Sequence, residues 1–232
     1  MTTERAPRNR NLTPPDTYVG IFAEALTRLP GAETPAEDVR KEQFEKFVKT
    51  GFPGPKVETW KYSPLGPIAR TAFRPAGDEA EQGVAVGDYL VPGDNISRFV
   101  FINGMIDREH SDRLMAVGGI TIGGLGDALS AGAISPADLL SGDDDISGFD
   151  ALNGAFADCG AVIKVDAGHR AVQVLFISTG SQPERMINPR IVIELGDGAS
   201  LDLVETHIFG DDAGQLTNLV TRCTVGEGAV LR

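Results

Sequence analysis

Few residues of this chain can ligate a metal or attack an electrophile: His110, His169, His207, Cys159 and Cys223. No histidine has a second histidine or cysteine at metal-ligand spacing. His169 follows Gly168 and reads as a solvated turn residue. His207 stands two residues from Glu205, on one face if the segment is a strand, and such a pair could hold a proton or a metal. A paired couple on a sheet surface is the simpler reading. His110 adjoins Ser111, but no nucleophile-elbow pattern surrounds them. Cys223 alternates with apolar positions and reads as core, whereas acidic Asp158 beside Cys159 would raise the thiol's pKa and leave it unreactive. The run Gly123-Gly124-Leu125-Gly126 has the start of a dinucleotide loop, but Leu129 stands where the third small residue belongs. Asp143-Asp144-Asp145 lacks the glycine and the distal glutamate of a calcium loop. Glu194, Asp202 and Glu205 are the only near-stacked acids, and no basic partner is evident for them. A sugar-cleaving carboxylate pair is therefore the weaker enzymatic reading. No catalytic constellation assembles, and the expectation is a non-enzyme.

The elements that must position these residues follow from spacing. Residues 1–16 are polar and end in Thr13-Pro14-Pro15-Asp16, a disordered arm. Residues 17–29 have helical spacing, with Val19, Phe22, Ala23, Leu26 and Leu29 near one face. A second helix starts at Thr34-Pro35 with Glu37 completing a capping box; it buries Val39, Phe44, Phe47 and Val48 and stops at Gly51. The prolines and the Trp60-Lys61-Tyr62 cluster up to residue 70 forbid a long regular element. Phe99 to Ile106 reads as a hairpin around an Asn103-Gly104 type I′ turn. Ile120-Thr121-Ile122 is a strand, and Leu125–Leu129 and Phe149–Phe156 are short helices.

The most informative pattern is a repeat. Gly168, Gly198 and Gly228 sit in three turns with a constant period of 30. Each turn follows a strand of alternating polarity, at 162–165, 192–195 and 222–225, and another strand follows it. Strand–turn–strand units at this period predict a β-solenoid. One extra residue follows the first turn, so the register shifts once.

Composition bounds the function. There are 21 basic and 33 acidic residues and the formal charge is −12, which disfavours a nucleic-acid partner. Two distant cysteines form no disulfide framework and fit a cytoplasmic protein. No apolar run reaches the ~18 residues of a membrane span, and the basic Met1–Arg10 stretch is not a secretory signal.

Gly51-Phe52-Pro53 followed by Glu58-Thr59-Trp60-Lys61-Tyr62-Ser63-Pro64-Leu65 resembles the signature of the SufD family of iron–sulfur cluster assembly scaffolds. Phe99–Gly104, Leu152–Asp158, Val174–Gly180, and Asn188-Pro189-Arg190 with Leu195–Ala199 are similar to that family in the same order. The resemblance implies an N-terminal helical region and a right-handed β-helix core. It implies partnership with SufB and the ATPase SufC, no catalysis, and a cluster built by the parent complex with no cofactor resident in this chain. Trp60, Lys61 and Tyr62 are then packing residues that lock the linker to the core. Because Arg232 falls just after the third turn, the rest of the core and a helical C-terminal domain are expected beyond it. The paralogue SufB shares the core and is the alternative within the family. The domains expected are an arm over 1–16, a helical region over 17–70, and a mainly β solenoid core over 71–232.

Overall fold

The protein is described by a computed structural model over residues 11–76, 84–141, 148–179, 184–210 and 214–232. The acidic run at 143–145 and most of the expected arm lie outside these residues. The chain is mixed α/β, with about 34% strand and 28% helix, where the sequence predicts mainly β. The difference comes from three helices inside the segment expected to be solenoid.

Six helices and thirteen strands follow in chain order among the described residues. The helices α1 (Tyr18–Leu26), α2 (Ala36–Thr50) and α3 (Gly66–Arg70) precede β1 (Arg74–Pro75). Next come β2 (Ile96–Ile102), β3 (Met105–Ile106), β4 (Met115–Val117) and β5 (Ile120–Gly124). The inserted helices are α4 (Leu125–Ser130), α5 (Pro136–Leu140) and α6 (Gly148–Phe156). The repeat region holds β6 (Cys159–Val165), β7 (His169–Ser178), β8 (Arg185–Ile187), β9 (Pro189–Leu195) and β10 (Ser200–Phe209). It continues through β11 (Leu216–Thr217), β12 (Val220–Val225) and β13 (Val230–Leu231).

Three sheets run β1-β8-β11, β13-β10-β7-β2-β3 and β12-β9-β6-β5-β4. The repeat strands pair in parallel. Cys159 faces Pro189, Arg190 faces Val220, Met186 faces Leu216 and Ser200 faces Val230, all at the period of the glycine turns. Ser200 faces His169, one position further apart, which is the extra residue after the first turn. Gly168, Gly198 and Gly228 all have positive φ, at +82°, +69° and +69°, which turns favour in glycine because it has no Cβ. The turns stack on one another: the Ser200 N–H donates to the Gly168 carbonyl at 2.8 Å and the Val230 N–H to the Ala199 carbonyl at 2.9 Å.

Alternation along these strands sends one set of side chains into a shared core: Ala161, Ile163 and Val165 from β6, Ile191, Ile193 and Leu195 from β9, Val172, Val174 and Phe176 from β7, and Leu201 from β10. The opposite set is covered too, since Val162 and Val192 pack under α4 and α5. The Asn-Gly hairpin forms as the sequence predicts, with Asn103 at φ +51° and Gly104 at +83°.

The helical region departs from its expected face. Tyr18, Ile21, Phe22 and Ala25 are the buried residues of α1, and Val19 is exposed. Both stripes satisfy helical spacing. The stripe with the larger aromatic ring wins: Tyr18 packs edge-on to Phe47 at 5.3 Å, and Phe22 stacks on Phe44 at 4.2 Å. In α2 the Thr34 hydroxyl accepts the Ala36 N–H at 3.2 Å, but Glu37 pairs with Lys41 at 2.6 Å rather than completing a capping box with Thr34. Val48 is exposed, against expectation, and Arg40 takes a buried place instead. Leu12, assigned to the disordered arm, exchanges two backbone bonds with Phe52 at 2.7 and 2.9 Å.

Gly160 tests the parallel register directly. It has φ +133° and faces Arg190, whose carbonyl a Cβ would overlap. Gly160→Ala is expected to cost about 3 kcal/mol or more in urea unfolding. Gly168→Ala has the same sign of φ but open space around it, and about 1–2 kcal/mol is expected there.

Candidate functional site

Asp158, Asn188 and Asn218 recur at the period of the turns, each just before a repeat strand. They form a polar seam where the helices meet the sheets. The Asn188 N–H donates to the Asp158 carboxyl at 3.1 and 3.3 Å. The Asn218 amide donates to Asn188 Oδ1 at 3.2 Å and to the Phe149 carbonyl at 2.8 Å. From α6, Asn153 donates to the carbonyls of Pro189 and Asn218 at 2.8 and 2.6 Å. The fully buried Arg190 donates to Asn153 Oδ1 at 2.8 Å, to Asp150 at 3.1 Å and to the Ser141 carbonyl at 2.8 Å. Arg40 donates to the carbonyls of Pro30, Ala155 and Ala157, and burial lowers its pKa to about 10, so it stays charged at neutral pH. The sequence reading missed this seam. Extending the repeat comparison from the glycines to 158, 188 and 218 is the signal that finds its three rungs.

The first rung opens on a cavity of about 360 Å³ between α1, the β2–β3 turn and the start of α4. Asp158 and Cys159 line it together with Phe101, Met105 and Ile106. Apolar surroundings push the Asp158 carboxyl up to about 6, against hydrogen bonds from Cys159 and Asn188 and the field of Arg40. The Cys159 thiol is raised well above its usual value, first by burial and then by Asp158, as expected from the acidic neighbour. It stays protonated and is a poor nucleophile. Arg108 and Asp127, on the cavity wall, form a two-pronged ion pair at 2.6 and 2.8 Å.

The residues singled out in the sequence are dispersed. His110 pairs with Asp107 at 2.7 Å. His169 lies 2.9 Å from Ser200 and 3.6 Å from Asp202, on the open surface. This serine–histidine–aspartate grouping is about half exposed, and Asp202 is shared with Arg232 at 3.2 Å. His207 lies 2.8 Å from Glu205, and its ring stacks on Phe176 at 5.0 Å. All three acids have basic partners, contrary to expectation: Glu194 pairs with Lys164 at 3.0 Å, Asp202 with Arg232 and Glu205 with His207. Sequence did not reveal the Lys164 pairing because the two residues meet only through the parallel register. Asp202 and Glu205 are three apart on β10 and so face opposite ways. Cys223 is in register with core Ile193, yet it is exposed, because β12 is the edge strand of its sheet. Among the described residues no group of three or more His, Cys, Asp or Glu could hold a metal ion.

The Trp-Lys-Tyr cluster divides. Trp60 is partly buried and packs against Phe149 of α6, with the rings 5.3 Å apart and tilted by 31°. Lys61 and Tyr62 face solvent, with Tyr62 88% exposed and the Lys61 ammonium 5.4 Å from its ring centre. Tyr62 therefore locks nothing to the core, and only Trp60 supplies buried area.

Asp158 gives this region a pH dependence of definite sign. Its folded pKa of about 6 lies above the ordinary 3.8, so the folded state holds a proton that the unfolded state has released. Stability from this group is full below the ordinary value and falls as pH rises through about 6. Urea unfolding at pH 4.5 to 7 is expected to show the gap between wild type and Asp158→Asn shifting against wild type, by at most ~1.4 kcal/mol per pH unit. A gap moving the other way would contradict the burial argument.

Comparison with known proteins adds the family. Residues 14–175 match the family profile described as SufBD protein N-terminal region. No curated protein matches the chain. The matched segment covers both helical regions, the hairpin, β6 and most of β7, and it includes the Gly-Phe-Pro and Trp-Lys-Tyr motifs. With most of its length inside that profile, the chain belongs to the SufB/SufD family of the SUF iron–sulfur cluster assembly system.

Proposed function

We propose that the chain is a non-catalytic scaffold subunit of the SUF complex, working with SufB and the ATPase SufC, and that within its family it is a SufD. The observation that carries the scaffold reading is the family match over residues 14–175. The ordered series of motifs from Gly51 to Ala199 favours SufD over SufB. The parallel pairs that keep one common offset in three sheets support a right-handed β-helix as the rigid body of that scaffold. On this reading the iron–sulfur cluster is cargo of the assembled complex and the chain has no resident cofactor. The two distant cysteines favour a cytoplasmic setting for this work. Among the described residues no helix is long and apolar enough to cross a membrane.

The chemistry of the site fits a structural role. Buried polar groups spend their hydrogen bonds on backbone carbonyls and on one another, which fixes shape. The most enclosed thiol is held protonated by burial. Each of the three candidate sugar-cleaving acids already has a basic neighbour, Lys164 for Glu194, Arg232 for Asp202 and His207 for Glu205.

Co-expression with SufB and SufC from the same genome tests the proposal. A tag on this chain is expected to bring down both partners in fixed ratio through a sizing column. Clean isolation of the chain from both, or turnover of an acidic polysaccharide by it alone, would contradict the scaffold reading.

A further inference from the structure

The cavity beneath α1 has a composition that the scaffold role does not use. At about 360 Å³ it is large enough for a small organic molecule. Phe101, Met105, Ile106 and Leu29 give it apolar walls, and Asp158 supplies a carboxyl. Gly104 of the hairpin turn lets the backbone approach that carboxyl, since a Cβ there would sit 3.3 Å from Oδ2.

The charges around Asp158 decide what could bind. Among the described residues it forms no ion pair. Arg40 reaches it only through its field, with both terminal nitrogens committed to carbonyls. The Cys159 thiol and the Asn188 N–H donate to it but carry no charge. Arg108 is neutralised by Asp127, and Arg28 stands exposed at the mouth, where solvent screens it. A carboxylate in an apolar cavity with no cation against it is the recognition element for one.

We propose that this cavity binds a small amphipathic ammonium ion, its apolar body against Phe101 and Ile106 and its –NH3⁺ group donating to the Asp158 carboxylate. The site is independent of the scaffold reading and needs no partner protein. Because the carboxyl must be ionised to hold the cation, affinity rises with pH through the range where Asp158 loses its proton. Arg40, Arg108 and Asp127 keep their charges across that range.

The test uses the 232-residue chain with benzylamine as the probe and benzoate as its matched anion, by calorimetry and ligand-observed NMR. Saturable binding of benzylamine at pH 7.5 is expected, weakening about tenfold at pH 5. Asp158→Asn should weaken it at least about tenfold at pH 7.5, the loss of a charge-assisted hydrogen bond. Ala76→Leu, which narrows the cavity without touching a charge, should weaken it as well and serves if the first variant does not fold. No saturable binding of benzylamine, binding of benzoate as tight as benzylamine, or affinity unchanged in these variants would overturn the proposal.

Discussion

Everything else in the structure hangs on the buried contact between α6 and the repeat strands. Asn153 reaches from the helix to the carbonyls of Pro189 and Asn218, two points about one repeat apart. Arg190 returns the contact from β9 through Asn153 and Asp150. A guanidinium and two amides in an apolar interior cost several kcal/mol unless their donors find acceptors, and the two carbonyls that Asn153 uses lie within its reach only when the strands are in register. Contact between helix and sheets and the common strand offset are therefore one constraint. A slip of one residue would turn Ile163 and Ile193 outward and leave Asn153 facing the wrong carbonyls.

From that contact the two halves of the molecule become one. Phe156 of the same helix packs edge-on to Phe22 and Phe44, so α6 sits in the aromatic core of the helical region while its asparagine sits in the polar seam. Arg40 extends the tie from α2, donating to the carbonyls of Ala155 and Ala157 at the end of α6 and just beyond it. The cavity beside Asp158 lies where this junction is incomplete: apolar walls close around a carboxyl whose nearest cation is occupied elsewhere.

Legibility in the sequence followed the range of the interaction. The hairpin at Asn103-Gly104 and the turns at Gly168, Gly198 and Gly228 were readable because positive φ restricts residue choice locally. The strands were readable from alternation, and their regular spacing gave the register that the pairing follows. The face of α1 was not, because two stripes fit the same helical period and only packing against Phe47 and Phe44 chose between them. The helices within 125–156 were for the most part visible, yet their share made the chain mixed α/β rather than mainly β. The polar seam was the least legible, since Asn153 and Arg40 bond to distant main-chain carbonyls, which any residue type can present. Lys61 and Tyr62 show the converse, a motif whose exposed members packing cannot explain.

Trp60 is the only tryptophan of the chain and rests on α6 in the helical region, so its fluorescence reports that half, while far-ultraviolet dichroism near the strand minimum reports the sheets. Thermal unfolding followed by both signals, in wild type and in Asn153→Ala, tests the claim that one buried contact joins them. The account predicts a single coincident transition in wild type and, in the variant, both signals lowered together by the equivalent of about 2–3 kcal/mol. A fluorescence transition that separates from the strand signal in wild type, or a variant in which the sheets melt unchanged, would contradict it.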